Sequence, residues 1–488
     1  MSDVATVNQA PSSTSGFGRG MLLLAIANAL YVVTAYVVTT ATARMLEPIE
    51  FGVFGVVMAW ITVLTALLVK GVSTVTAREM AAGDVDAATA WRAGRTLGLQ
   101  LAVLLTIVGA ALSPLVAELL GVPGRSSQIA VGALGALTFG INAVLLAWPT
   151  GMRSYGRQAL TQVAYALARL VFVVGGAALL GLDGAVIGYV VAPLVAALPL
   201  VTRHPVAQAD AAAIRSRMRR AVIPISLVSI AVTSYFVVDV FALSAVVGER
   251  AHEVGIYVAY GTVAHVPFFL LQAASVAIVP ALAATRSVAE RGAAIRHAMT
   301  DSIVLLAGPT LLLAAGGDAA ARVVFGADYE SSALVTLPLA LATGAVTLLA
   351  NLVAIEVAIG RLRESIAISV AGAAALAVAC VLAARGDVDG AAGRVAWAAL
   401  AVSAATCLIL AALVRVRHGA LLEPSRAVRG LALALLVTVP VLLVDHDLAA
   451  TVVAAACGLV WLFAVIRSGL VDVRRAAPAA PVLDADVP

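Results

Sequence analysis

The chain has 488 residues, 62% of them hydrophobic and only 12% charged, with a mean hydropathy of +1.04. Too few polar side chains are present to coat a water-soluble globule of this length, so the apolar surface must face lipid. The net charge of +4 sits on scattered arginines and not on a soluble basic domain, which argues against a nucleic-acid partner.

Residues 1–19 are polar and Ser/Gly-rich, the pattern of a disordered tail, and the apolar segment after them is too long for a signal-peptide core, so no cleavage is expected. Helical runs of about 20 apolar residues cross a hydrocarbon core about 30 Å thick. Fourteen such runs follow: 20–44, 51–72, 96–118, 127–149, 159–181, 184–202, 221–246, 254–284, 302–324, 331–358, 365–384, 392–414, 428–444 and 448–466. The runs holding Pro267, Pro309 and Pro338 are expected to bend, because proline removes a backbone donor. The expectation is an all-α polytopic membrane protein: an N-lobe over 20–202, a cytoplasmic linker over 203–220, a C-lobe over 221–414, an extra helix pair over 428–466 and a flexible Pro/Ala-rich tail over 473–488. Cys380, Cys407 and Cys457 lie inside apolar runs and read as buried thiols rather than disulfide or metal ligands. GFGRG near the start lacks the strand and helix that would turn its glycines into a phosphate loop, and no cofactor or metal is expected.

Charges that the hydropathy reading did not use set the orientation. With the N-terminus cytoplasmic, the even-numbered loops and both tails hold twenty-four Lys and Arg residues, from Arg19 to Arg475. The opposite loops hold six: Arg44, Arg125, Arg250, Arg322, Arg385 and Arg394. This is the asymmetry of the positive-inside rule, and it puts both termini in the cytoplasm. A weak repeat adds a second constraint. EFGVFGVVMAW (50–60) reappears as EVGIYVAYGTV (253–263), a shift of 203 residues that pairs Glu50 with Glu253, Gly52 with Gly255 and Phe54 with Tyr257. Six runs separate the copies, so both face the same way, and two like-facing six-helix halves are expected to enclose a cleft.

Three patches carry a family resemblance: TARMLEPIEFGVFGVVMAWITVLTALLVKGVSTVTAREMA at 42–81, GMRSYGRQALTQVAYALARLVFVVGGAALLGLDGAVIGYVVAP at 151–193, and YFVVDVFALSAVVGERAHEVGIYVAYGTVAHVPFFLLQAASVAIVPALA at 235–283. Together they resemble the polysaccharide-transporter flippases of the multidrug/oligosaccharidyl-lipid/polysaccharide exporter superfamily. The resemblance implies alternating-access movement of a polyprenyl-(pyro)phosphate-linked oligosaccharide to the outer leaflet of a bacterial plasma membrane, for cell-surface polysaccharide synthesis. It also implies the bilayer and, as possible partners, the pathway's glycosyltransferases or polymerase. A lipid II cargo fits as well. A multidrug or cation antiporter of the same superfamily is the alternative, although the first run carries no Asp or Glu. An enzyme would need acid/base groups on a sizeable outer loop, and no loop exceeds about twenty residues.

A phosphate-bearing cargo needs a cation inside the membrane. Arg169 sits mid-run, with Gln162 and Tyr165 at i−7 and i−4 on the same helix face; a structural ion pair with Asp239 is the competing reading. Asn28 and Tyr31, with Thr39 and Thr42, trace a polar stripe on the first run that suits sugar hydroxyls or helix contacts. Lys70, the only lysine, and Arg78 would line the cytoplasmic mouth, and Arg44 the outer one; interfacial anchoring explains all three equally. Asp239 and His265 are candidates for ion coupling, or for a charge pair and a packing role. Glu356 is expected to pair with Arg361 or Arg363.

Overall fold

The computed structural model describes residues 14–82, 85–201, 211–248, 252–269, 271, 282, 285, 287–330 and 334–471. The start of the N-terminal tail, most of the 203–220 linker before residue 211, the second half of the eighth run and the C-terminal tail lie outside the described residues. Regular structure among the described residues is entirely helical. The helices are α1 (Thr14–Met45), α2 (Pro48–Ala66), α3 (Ser73–Ala82), α4 (Ala87–Ala111), α5 (Ser113–Leu119), α6 (Ser126–Gly151), α7 (Tyr155–Arg169), α8 (Gly175–Ala197), α9 (Ala211–Ser234), α10 (Val238–Val247), α11 (Glu253–Ala264), α12 (Val288–Phe325), α13 (Thr336–Ala358), α14 (Leu362–Ala384), α15 (Ala391–His418), α16 (Pro424–Leu442) and α17 (Asp447–Arg467).

Helix boundaries follow local chemistry. Asp86 caps α4 by accepting from the Thr89 N–H at 2.8 Å. Ser287 accepts from the Glu290 N–H at 3.2 Å, a Ser-x-x-Glu start for α12. Pro48 and Pro424 open α2 and α16, where a missing N–H costs nothing. The continuous helix from Tyr155 to Leu200 doubles back at Gly181 (φ 58°, ψ −137°) and so makes two antiparallel spans. A side chain at Gly176 would strike the Gly184 carbonyl, and one at Gly188 the Phe172 carbonyl, so glycine sets how closely these spans approach.

Two of the three prolines expected to bend their runs leave their helices unbroken, and the third follows a break. α12 runs through Pro309 without a break, and Pro338 lies in the first turn of α13. α11 ends at His265, two residues ahead of Pro267. The bend of 53° falls between α9 and α10, at proline-free Tyr235–Val237. α2 passes into α3 through a π-helical turn, Leu67–Val72, rather than a loop.

Packing follows the two halves. In the first, α1 lies on α7, α4 on α6 and α6 on α8; in the second, α13 and α14 lie on α15. The C-terminal pair α16–α17 packs on α12, where Trp461 covers Gly308. Ion pairs fix it at both ends: Arg322 grips Asp447 with two bonds of 2.8 and 2.7 Å, and Arg426 reaches Asp301 at 2.5 Å. The two ends of the molecule are called arginine-rich and arginine-poor below, after their loops.

Candidate functional site

The repeated unit packs against its own copy. Near the arginine-poor end α2 crosses α11 at contact distances that require glycine. A Cβ on Gly52 would lie 2.9 Å from the Gly255 nitrogen, and one on Gly255 would strike the Pro48 carbonyl. Gly55 is filled in turn by Val258. Gly52 with Gly255, and Gly55 with Val258, are the residues matched by the 203-residue shift, so the contact lies on the pseudo-symmetry axis of the two halves.

Flanking bonds extend this seal on both sides. Arg44 donates from Nε and Nη2 to the carbonyls of Val324 and Val323, each at 2.8 Å, and so caps the end of α12 from the other half of the molecule. The Tyr329 hydroxyl donates to the Ala43 carbonyl at 2.8 Å and its ring meets Phe51 edge-on. On the far side the Ser244 hydroxyl donates to the Leu120 carbonyl at 2.6 Å, beside Gly121. Arg44 is therefore engaged in closing the two halves and does not stand free at a mouth.

Beneath the seal lies a cavity of about 280 Å³ between the halves. Its wall includes Phe54, Met58, Phe236, Asp239, Tyr257 and His265, with Thr39 of the polar stripe. Asp239 occupies the first turn of α10, just after the bend, and is 5% exposed. It accepts from the Tyr257 hydroxyl at 2.7 Å and from the Val240 N–H at 2.9 Å. The His265 ring stands edge-on to Phe236 at the point where α11 stops. Among the described residues no cation reaches Asp239.

Arg169 lies elsewhere, inside the first half. Its guanidinium sits over the rings of Tyr31 (4.6 Å) and Tyr165 (5.0 Å), which stack on each other, and Nη2 donates to the Tyr31 carbonyl at 3.2 Å. Tyr189 joins the cluster through Phe139, whose ring packs on both Tyr165 and Tyr189. Among the described residues Nε of Arg169 is buried without a partner, and no carboxylate is paired with the guanidinium. The competing reading, an Arg169–Asp239 ion pair, is not formed: Arg169 sits among tyrosines of the first half and Asp239 against Tyr257 of the second, and the cavity wall includes Asp239 without Arg169. Two turns before Arg169, Gln162 donates to Asn28 at 2.8 Å, so the polar stripe of α1 is engaged by α7.

At the arginine-rich end α9 closes onto the first half. Ser226 fills the space over Gly71, and Arg217 pairs with Glu79. Lys70, on the intervening π turn, is exposed. Arg78 is exposed two turns further on. Glu356 is fully buried and pairs with Arg417 at 2.9 Å, not with Arg361 or Arg363. Sequence reasoning missed Tyr257, Tyr189 and Arg417. For Tyr257 the signal was present, since the repeat already aligned it with Phe54.

A two-halved helical bundle with a cavity between its halves is an architecture of membrane transporters. Solved structures with this fold include the lipid II flippase MurJ in an inward closed conformation (TM-score 0.71, 11% identity, 92% of this chain and 99% of that one). They also include an inward-facing multidrug resistance MATE transporter (0.62, 18%, 82% and 98%) and a transporter from Pyrococcus furiosus described by the reverse polarity of its binding pocket (0.59, 18%, 83% and 96%). No curated protein matches the sequence. The polysaccharide biosynthesis protein family matches residues 17–286, and the chain belongs to that family, within the multidrug/oligosaccharidyl-lipid/polysaccharide exporter superfamily.

Proposed function

We propose that the protein flips a polyprenyl-(pyro)phosphate-linked oligosaccharide from the cytoplasmic to the outer leaflet of a bacterial plasma membrane by alternating access, with both termini cytoplasmic. The observation that carries this reading is the cavity lying directly under a seal built from the two copies of one repeat. Parting Gly52 from Gly255 would open that cavity at the arginine-poor, outer end, while parting Gly71 from Ser226 would open the molecule at the inner end. Within this reading Arg169, with its unpartnered Nε, is the cation for the phosphate. Asn28, Tyr31, Gln162 and Tyr165 meet sugar hydroxyls once α1 and α7 separate. Lys70 and Arg78 draw the anionic head into the inner mouth, and Asp239 with His265 couples transport to an ion.

The test is depletion of the protein followed by mass spectrometry of undecaprenyl-linked intermediates. One intermediate should accumulate on the cytoplasmic leaflet, and Arg169→Ala should fail to clear it at normal membrane abundance. Clearance by that variant would remove Arg169 from the phosphate role.

A second reading is favoured by the cavity itself. Phe51, Phe54, Met58, Phe236 and Phe269 around a single carboxylate suit a lipophilic cation, the cargo of a multidrug antiporter. Raised drug sensitivity on depletion, with no lipid intermediate accumulating, would select it.

A further inference from the structure

At the arginine-rich end a second cavity, of about 450 Å³, opens between α9 and the turn joining α13 to α14. Its wall is Pro224, Gly360, Arg361, Arg363, Glu364 and Ile366. Glu364 is paired with Arg417 of α15, whereas Arg361 and Arg363 make no ion pair among the described residues, so the unneutralised charge in the wall is positive. The 23-residue α14 begins in this wall, and no side chain caps its first turn. Its free N–H groups and dipole add to the attraction for an anion.

The apolar side of the cavity is equally defined. Ile223 and Leu227 flank Pro224 on α9 and are 62% and 44% exposed; Val370, one turn beyond Ile366, is 47% exposed. In a membrane protein such side chains face acyl chains, so a cationic pocket passes directly into a lipid-facing track.

We propose that this is a binding site for one anionic phospholipid of the cytoplasmic leaflet. Arg361, Arg363 and the α14 N-terminus hold the phosphodiester, and the acyl chains lie along Ile223, Leu227 and Val370. Among the described residues the wall offers no amide or hydroxyl side chain. A small phosphodiester head therefore fits it, and the sugar-bearing head of a lipid-linked oligosaccharide, which needs neutral donors and acceptors, does not. The site is distinct from the cavity beneath the seal and stands whatever the transported cargo. It also has a mechanical consequence. α9 meets the first half at Gly71 and Glu79 through Ser226 and Arg217, so a lipid seated between α9 and α14 lies beside the inner contact of the two halves.

The test is native mass spectrometry of the purified full-length protein titrated with phosphatidylglycerol, phosphatidylcholine or undecaprenyl phosphate. Wild type should retain a phosphatidylglycerol adduct at concentrations where phosphatidylcholine is lost, and R361Q/R363Q should weaken that adduct by about tenfold or more, the effect of removing charged hydrogen bonds. R361K/R363K keeps both charges and should retain most of the binding, which separates loss of the site from damage to the fold. R125Q/R385Q removes the same charge at the opposite end and should bind as wild type does. Unchanged phosphatidylglycerol binding in R361Q/R363Q, equal loss in R125Q/R385Q, or a loss confined to undecaprenyl phosphate would each overturn the proposal.

Discussion

Gly255→Ala is the sharpest perturbation of the seal. A Cβ there strikes the Pro48 carbonyl, 2.7 Å from its carbon and 3.1 Å from the Pro48 Cα. All the atoms it meets are backbone, so no rotamer change relieves the clash and the start of α2 must move. Overpacking of this kind costs about 1–3 kcal/mol. The cost falls only on the state in which α2 and α11 touch, so the ratio of closed to open seal should drop about 5- to 150-fold. Thr39 lines the cavity below the seal and gives a readout. In a background with Cys380, Cys407 and Cys457 replaced, Thr39→Cys on intact cells should react with a membrane-impermeant maleimide faster in the Gly255→Ala variant, by a factor in that range. An unchanged rate, with the variant inserted at normal abundance, would refute both the assignment of Gly52–Gly255 as a gate and the placing of that gate on the outer side.

Arg44→Gln removes two bonds to the Val323 and Val324 carbonyls, each worth about 1 kcal/mol; the same labelling assay should report faster reaction, and an unaltered rate would reduce Arg44 to an anchor. Arg417→Leu strands the fully buried Glu356 carboxylate and should destabilise the protein by about 3–5 kcal/mol, seen as a lower melting midpoint in detergent, with most of the loss recovered by adding Glu356→Gln. A single variant as stable as wild type would contradict that pairing. Glu423 lies between α15 and α16. Burial alone would raise its pKa, but the hydrogen bond from Arg426 and the charges of His297, Arg426 and Arg296 outweigh burial and leave it below the ordinary 4.5. A depressed carboxyl stabilises the fold above its unfolded pKa, and that contribution disappears as pH falls through the lowered folded value. Glu423→Gln should therefore be less stable than wild type near neutrality and converge with it on acidification; a difference that persisted in acid would deny the charge interaction.

The spans were legible because a hydrocarbon solvent leaves one dominant requirement, about 20 apolar residues per crossing, which the chain meets repeatedly. The turn at Gly181 and the ends of α2 and α12 follow from glycine and capping residues that a sequence displays. Bends were legible only at Pro267, just ahead of which the helix breaks. Pro309 is absorbed within α12, while the break at Tyr235–Val237 arises where one helix must lie on both halves, a tertiary demand with no local signature. Pairing among charges was likewise hidden. Arg169 and Asp239 are each the obvious buried charge of their half, and nothing in their spacing says that tyrosines, not each other, satisfy them. Glu356 was matched to its nearest arginines in sequence, whereas Arg417 reaches it from a helix two spans further along the chain. The repeat itself was visible at a handful of positions. Contact across the axis accounts for one matched pair, Gly52 and Gly255, which meet each other and so share one steric limit.

The gate is symmetric and the charges are not, and this difference bears on how the proposed transport could have a direction. The shift of 203 that superposes Gly52 on Gly255 places Asp239 on Tyr36, whose buried hydroxyl has no partner among the described residues, and Tyr257 on Phe54, which has no hydroxyl to offer. The first half thus keeps a cation, Arg169, in a box of tyrosines, and the second keeps an acid, Asp239, held by one. Had the two been joined, the fold would contain a buried ion pair whose attraction roughly cancels its desolvation, and neither group could respond to a ligand. Kept apart, each carries a desolvation penalty of several kcal/mol that a ligand of opposite sign can relieve. An anionic head group near Arg169 and a proton or metal cation at Asp239 would do so in different halves. Each would then act on the one contact both halves share, the glycine crossing of α2 and α11, through the helices that carry them.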